Sequence, residues 1–151
     1  MTMPNQPPTP PATASPEALR RAQVMWEQSG DDLRAAKRKL REREPLDASF
    51  FALQAAVNAL AAVARLSGEF QLPHHSPMQL LGFCADADDR FAALHEPCVA
   101  LEAVQEQDPF RGEESAEALT RQGKAALAHA TTVHKTVRAF LKTHRKRYFA
   151  P

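Results

Sequence analysis

The sequence predicts an all-α fold: an antiparallel bundle of four to five helices behind a disordered, proline-rich N-terminal tail. Three observations carry this. The 151 residues include 28 Ala and 15 Leu, but no Ile, one Tyr and five Gly. Sheets draw on β-branched and aromatic residues, and their connections on turn glycines, so this composition argues against a β-rich domain. Apolar residues recur at spacings of three and four over long stretches, as in helices with one buried face. Finally, Ser15-Pro16 and Ser76-Pro77 each pair a hydroxyl N-cap with proline at the first helical position.

Residues 1–14 hold Pro4, Pro7, Pro8, Pro10 and Pro11 among Thr, Ala, Asn and Gln. Such a stretch buries too little apolar surface to offset its ordering entropy and reads as disordered. The first helix opens at Ser15-Pro16. Its stripe is Leu19, Ala22, Trp26, Ser29, Leu33, Ala36 and Leu40, and Pro45 stops it. About 28 residues give a rod of roughly 42 Å. Trp26, on this stripe, is expected in the core against the second helix.

That second helix, residues 47–66, carries Phe50, Phe51, Leu53, Val57, Leu60 and Val63 among alanines, with Gly68 as its C-terminal cap. A helix with so little polar face belongs at the centre, and its alanines let neighbours come close. After a loop at 70–75, Ser76-Pro77 starts a short helix through Met78, Leu80, Leu81 and Phe83. Asp86 or Asp88 caps the next segment, 90–107, which Pro97 kinks or splits. Ser115 caps the last helix, 116–145, with the stripe Leu119, Gly123, Ala126, Leu127, Ala130, Val133, Val137, Phe140 and Leu141. The domain organisation is thus a tail at 1–14, one bundle at 15–147 and a C-terminal tail at 148–151.

No apolar run approaches the ~18 residues that cross a bilayer, and the N-terminus lacks the charged and apolar regions of a secretory signal. A cytoplasmic protein that does not engage a membrane is expected. Cys84 and Cys98 lack C-x-x-C spacing and read as free thiols. The net charge of +1 hides a polarised chain. Ten carboxylates fall between Asp86 and Glu117, while Arg34, Lys37, Arg38, Lys39, Arg41 and Arg43 form a basic run, and Lys142, Arg145, Lys146 and Arg147 a second. Arg34, Lys37, Arg38 and Arg41 lie on adjacent turns of one helix side. They are candidates to bind the phosphates of a nucleotide or RNA; a solvated helix face is the competing reading.

Trp26, Asp32-Leu33 and Ala36 are followed by Phe50-Phe51 and Gln54-Ala55-Ala56, then by Pro73, His75 and Ser76 before Leu80-Leu81, and by Phe110-Arg111 before the final helix. In this order they resemble the HEPN domain family, helical bundles of prokaryotes and higher eukaryotes, over roughly residues 23–140. The resemblance implies a homodimer that binds nucleotide or RNA. It adds His75 and Arg111 to the ligand-binding candidates and implies partnership with a nucleotidyltransferase or a stress-response system of the toxin–antitoxin kind. Ribonuclease members of the family use Arg-x(4–6)-His on one helix, with arginine steadying phosphate charge and histidine moving a proton. Arg90 with His95 and Arg138 with His144 match that spacing and are the catalytic candidates.

Phe91 and Ala139 stand where the family has a polar residue after the arginine, and Val57, Ala61 and Gly112 are further departures. The function expected is therefore a non-catalytic nucleotide- or RNA-binding module. The alternatives are a HEPN-type toxin ribonuclease and a purely structural dimerisation domain. No cofactor and no metal site are expected. His74-His75 lack a second ligand cluster, no Glu-x-x-His occurs, and there is no glycine-rich phosphate loop.

Overall fold

The structure, a computed structural model, describes residues 14–68, 76–106 and 115–144. The proline-rich tail, the segment with His74 and His75, the segment with Arg111 and the C-terminal tail lie outside the described residues. Five α-helices follow in order: α1 (Pro16–Arg41), α2 (Pro45–Leu66), α3 (Pro77–Ala87), α4 (His95–Gln105) and α5 (Ala116–Thr143). A 3₁₀ segment, Asp89–Leu94, joins α3 to α4. No strand occurs among the described residues, and the fold is an all-α bundle.

The expected caps form. The hydroxyl of Ser15 accepts from the Ala18 N–H at 3.1 Å, and that of Ser115 from the Ala118 N–H at 3.1 Å. Ser76 makes a reciprocal box with Gln79: the Gln79 N–H donates to the Ser76 hydroxyl at 3.3 Å, and the Ser76 N–H to the Gln79 side chain at 2.8 Å. Each serine satisfies an N–H that the helix leaves unpaired. Asp88, not Asp86, opens the 3₁₀ segment, its carboxylate accepting from the Arg90 N–H at 2.9 Å. The chain becomes α-helical again at His95. Pro97 then falls in the first turn of α4, where its missing N–H costs nothing.

The corner between α1 and α2 differs from expectation. Pro45 does not end α1, which stops at Arg41; it opens α2 as a first-turn proline, two residues earlier than expected. The end of α1 is made by a Schellman motif. The Glu44 N–H donates to the Lys39 carbonyl at 2.8 Å and the Arg43 N–H to the Leu40 carbonyl at 3.1 Å. Arg43 takes the left-handed position, φ 61°, where glycine is usual.

α2 is the central helix. Eight of its alanines are buried, with Leu53, Leu60, Val63 and Leu66. It packs mainly on α1 and α5, and α3 and α4 also reach it. By length and mean hydropathy, 1.5, α2 does meet the test for a membrane span, contrary to the residue-by-residue reading, because Asp47 and Arg65 sit only at its ends. Yet 61% of that window is buried against the bundle's own helices. Its first turns are not all covered: Leu46 is 40% and Phe50 62% exposed, on a side that no described helix occupies.

α5 runs antiparallel to α1. Leu40 and Pro45 meet it at Gly123, near its start, and Trp26 and Ser29 meet it at His134. A β-carbon at Gly123 would lie 3.1 Å from both Leu40 Cδ2 and the Pro45 carbonyl oxygen. Gly123 is therefore what lets α5 close onto the α1–α2 corner. Gly123→Val, which puts a branched side chain against that backbone, is expected to destabilise the bundle by about 1–3 kcal/mol, read as a lower denaturant midpoint.

The far end of the core holds Phe91, Leu94, Leu101 and Phe140, all buried, with the two phenylalanine rings 5.4 Å apart. Cys84 and Cys98 are buried free thiols, and Cys84 donates to the Leu60 carbonyl at 3.4 Å. Burial pushes the Cys98 thiol up to about 12 and the Cys84 thiol well above its ordinary range, so neither is a ready nucleophile.

Candidate functional site

The seam between α1 and α5 gathers the chemistry. Along α1, Trp26, Gly30 and Arg34 follow at intervals of one turn, on one side. Across the seam, the Trp26 indole stacks on the His134 ring, with centroids 4.2 Å apart and planes 13° from parallel. Trp26 is half-buried and its stacking partner belongs to the last helix. Trp26 does pack against the hydrophobic core, as expected, but from its rim and with the last helix supplying the stacked ring.

His134 is almost fully buried, at 6% exposure, and its Nδ1 lies 3.0 Å from the Ser29 hydroxyl. That hydroxyl spends its one hydrogen on the Ala55 carbonyl, at 2.7 Å. Ser29 therefore accepts from His134, and the neutral ring carries its proton on Nδ1. Serine and histidine here tie three helices together. The serine hydroxyl is buried and its proton is committed, so the pair is not a nucleophile with its base. Burial above all, and then the cations Arg138, Lys37 and Arg34, push His134 down to about 4. Beside the pair, Asp32 is held by amide donors from Gln28 and Asn58, each at 2.9 Å.

The cations that act on His134 come from both helices: Arg34 and Lys37 from α1, Arg138 from α5. All three are exposed. Arg38 and Arg41 are exposed further along α1. Part of this charge is neutralised locally. Arg34 pairs with Asp31, Arg38 with Glu42 at 3.9 Å, and Lys39 with Glu42 at 3.3 Å and Glu44 at 3.0 Å. The Arg34 and Arg38 pairs are solvent-exposed, within one turn, worth little and readily exchanged; Lys39 is half-buried between its two carboxylates. Among the described residues no ion pair engages Lys37, Arg41 or Arg138. The Arg34 guanidinium lies over Gly30, where a β-carbon would meet it at an ordinary contact distance of 3.6 Å.

The catalytic candidates are brought together crosswise. Arg90 and His95, five residues apart, do not form a pair: Arg90 turns to Asp88 at 3.1 Å and to the Thr143 hydroxyl at 3.2 Å, while His95 is exposed. Arg138 stands at the α1–α5 seam. His144, six residues on, caps α5 half-buried and lies 3.5 Å from the other oxygen of Asp88. Asp88 thus joins the arginine of one spaced pair to the histidine of the other. The Arg90 N–H first, then its side chain and His144, hold the Asp88 carboxyl below the usual carboxylate range.

Of the ligand-binding candidates, Arg34, Lys37, Arg38 and Arg41 are on the surface as one face, and His75 and Arg111 lie outside the described residues. Among the described residues no three His, Cys, Asp or Glu side chains converge as metal ligands. Sequence reading missed His134 and the site role of Arg138. The signal was available: His134 lies four residues after Ala130, on the buried stripe of α5. No family model, curated protein or solved structure matches the chain.

Proposed function

We propose that this protein is a non-catalytic module that binds single-stranded RNA or nucleotide through the α1–α5 seam. The observation that supports this most is that exposed cations of two helices, Arg34 and Lys37 from α1 and Arg138 from α5, all act on the charge of His134, the ring on which Trp26 stacks. Cations that track a phosphate backbone beside an aromatic platform are the two parts of sequence-tolerant binding to single strands. Guanidinium groups grip phosphate in a bidentate manner that lysine cannot match. The helical bundle accords with the fold that the HEPN resemblance implies, and that resemblance supplies the expectation of a second copy and of a nucleotidyltransferase or stress-system partner. Nothing in the seam reads base edges, so binding is weak and general.

Anisotropy of a labelled single-stranded RNA tests this. Binding at low salt is expected, falling steeply as salt releases the condensed counterions. Replacing Arg34, Arg38 and Arg41 together by Ser is expected to weaken it several-fold while leaving the melting temperature unchanged. Absence of binding by the wild-type chain at low salt would overturn the reading and favour the dimerisation domain, for which the exposed Leu46 and Phe50 offer a contact.

The ribonuclease reading is favoured by one observation, the meeting of Arg90 and His144 on Asp88. The same RNA is expected to stay intact without metal. Cleavage abolished by His144→Ala would make the protein an enzyme.

A further inference from the structure

At the other end of α1 a second charged feature stands apart from the seam. Because α1 and α2 are antiparallel, the first turns of α1 lie beside the last turn of α2. Arg20 and Arg21 from α1 and Arg65 from α2 line a cleft of ≈ 540 Å³ with Glu17, Val24 and Met25. A smaller cleft of ≈ 240 Å³ shares Glu17, Arg21 and Arg65 and reaches Ser15 and Ala18. The larger volume lies within the range of small-molecule sites.

Three guanidinium groups face one carboxylate in this cleft. Glu17 does not neutralise it. Its bond to Arg21, 2.9 Å, joins side chains that are 57% and 67% exposed, and such pairs rearrange at little cost. Arg65 is different. Its Nε is buried and has no hydrogen-bond partner. That N–H is out of a ligand's reach, and it leaves the Arg65 charge without a hydrogen-bonded counter-group on its buried side, while the side chain still lines the cleft. One turn further along α1 the lining is apolar: Val24 is 65% exposed, the most exposed large apolar side chain among the described residues, and Met25 adjoins it.

From this cleft we infer a second binding site, for a small phosphomonoester whose phosphate meets Arg20, Arg21 and Arg65 and whose apolar body lies on Val24 and Met25. Phosphate oxygens supply the acceptors that guanidinium forks fit. The exposed valine gives such a ligand an apolar contact that free phosphate cannot use. The site is independent of the seam: Arg21 and Arg34 are thirteen residues apart along α1, or about 20 Å.

The test uses phenyl phosphate, inorganic phosphate and benzyl alcohol as probes, with amide resonances as the readout. Phenyl phosphate is expected to shift the amides of Glu17 to Met25 and of Arg65 to Gly68, and to bind more tightly than either of the other two. The double variant Arg20→Ser with Arg21→Ser, both on the surface, is expected to weaken it by about ten-fold. Arg65→Met is expected to do the same, checked for folding by its melting curve. The triple serine variant at Arg34, Arg38 and Arg41 is expected to keep the phenyl phosphate shifts of Glu17 to Met25 and of Arg65 to Gly68, whatever it loses at the seam. Equal binding by the Arg20/Arg21 variant, no binding by the wild type at millimolar probe, or loss of those shifts in the triple variant instead would overturn the proposal. Equal affinity for inorganic phosphate and phenyl phosphate would remove the apolar half of it.

Discussion

Phe140→Ala is expected to cost about 3–5 kcal/mol, the range for removing a fully buried aromatic ring. Phe140 has no exposed surface and stacks at a tilt on Phe91, 5.4 Å away. It also lies under the His144 ring, 4.5 Å between centroids, and 6.0 Å from the Arg90 guanidinium. Its removal therefore opens a hole at the point where α5 meets the 3₁₀ segment, and loosens the Asp88 cluster above it. A domain of this size has a total stability of roughly 5–15 kcal/mol, so the variant keeps only a part of it. In urea the midpoint is expected to fall by roughly 2 M with little change in slope. Phe140→Leu, which fills most of the space, is expected to lose less than about half as much. A midpoint within 0.5 M of wild type for the alanine variant (roughly 1 kcal/mol) would mean that the 3₁₀ segment does not depend on this ring.

Acid is expected to weaken the fold through His134. Its ordinary value is 6.5 and burial, followed by Arg138, Lys37 and Arg34, brings it to about 4. The unfolded chain therefore takes up a proton as pH falls through 6.5, while the native ring stays neutral until about 4. Stability is complete above pH 6.5, declines between 6.5 and 4, and levels off below. At about 1.4 kcal/mol per unit of displacement, the loss is on the order of 3 kcal/mol. Asp88 acts in a separate window. Its lowered carboxyl contributes stability above its ordinary 3.8, and this is lost only as pH falls below that. His134→Phe keeps a ring on Trp26 and cannot ionise, so its stability is expected to be flat between pH 6.5 and 4.5, below which the lowered Glu44 carboxyl, bonded to Lys39, begins to lose its contribution. A wild-type curve that is already flat there would show that the native ring protonates without penalty. A phosphate bound at the seam is expected to raise the His134 value, which makes its imidazole resonances a reporter for RNA binding.

The helices were legible in the sequence because their signals are local. Ser15, Ser76 and Ser115 each need only the next three residues to act as caps, and stripes of period 3.6 need only one helix. What was not legible is which stripe meets which. Trp26 sits on a clear stripe, but the choice of His134 over a residue of α2 depends on how α5 crosses α1. That crossing is set by Gly123, eleven residues before His134, which stacks on Trp26 and bonds to Ser29. The corner at Pro45 was misread for a related reason: proline both ends and begins helices, and the deciding feature is the left-handed Arg43, a backbone state that arginine does not advertise. The basic face of α1 was visible as spacing. Its completion by Arg138 was not, because no local rule places residue 138 beside residue 34. The cleft at Arg65 was equally hidden, since it pairs the start of one helix with the end of the next.

The alanines of α2 also bear on how this chain drifts over generations. A single nucleotide change in an alanine codon yields Gly, Ser, Thr, Val, Pro, Asp or Glu. At Ala52, Ala55, Ala56, Ala59 and Ala62, all with no exposed surface, every one of these is penalised. Gly and Ser weaken the helix, Pro breaks it, Thr and Val crowd it and the acids bury a charge. The large residues that a helix would accept, such as Leu or Met, are more than one step away and too big for the gap. Substitution at these five positions is therefore expected to be rarer than on the exposed faces of α1, α4 and α5. Distant relatives of this protein will be recognised by the spacing of small residues in one helix sooner than by any charged motif.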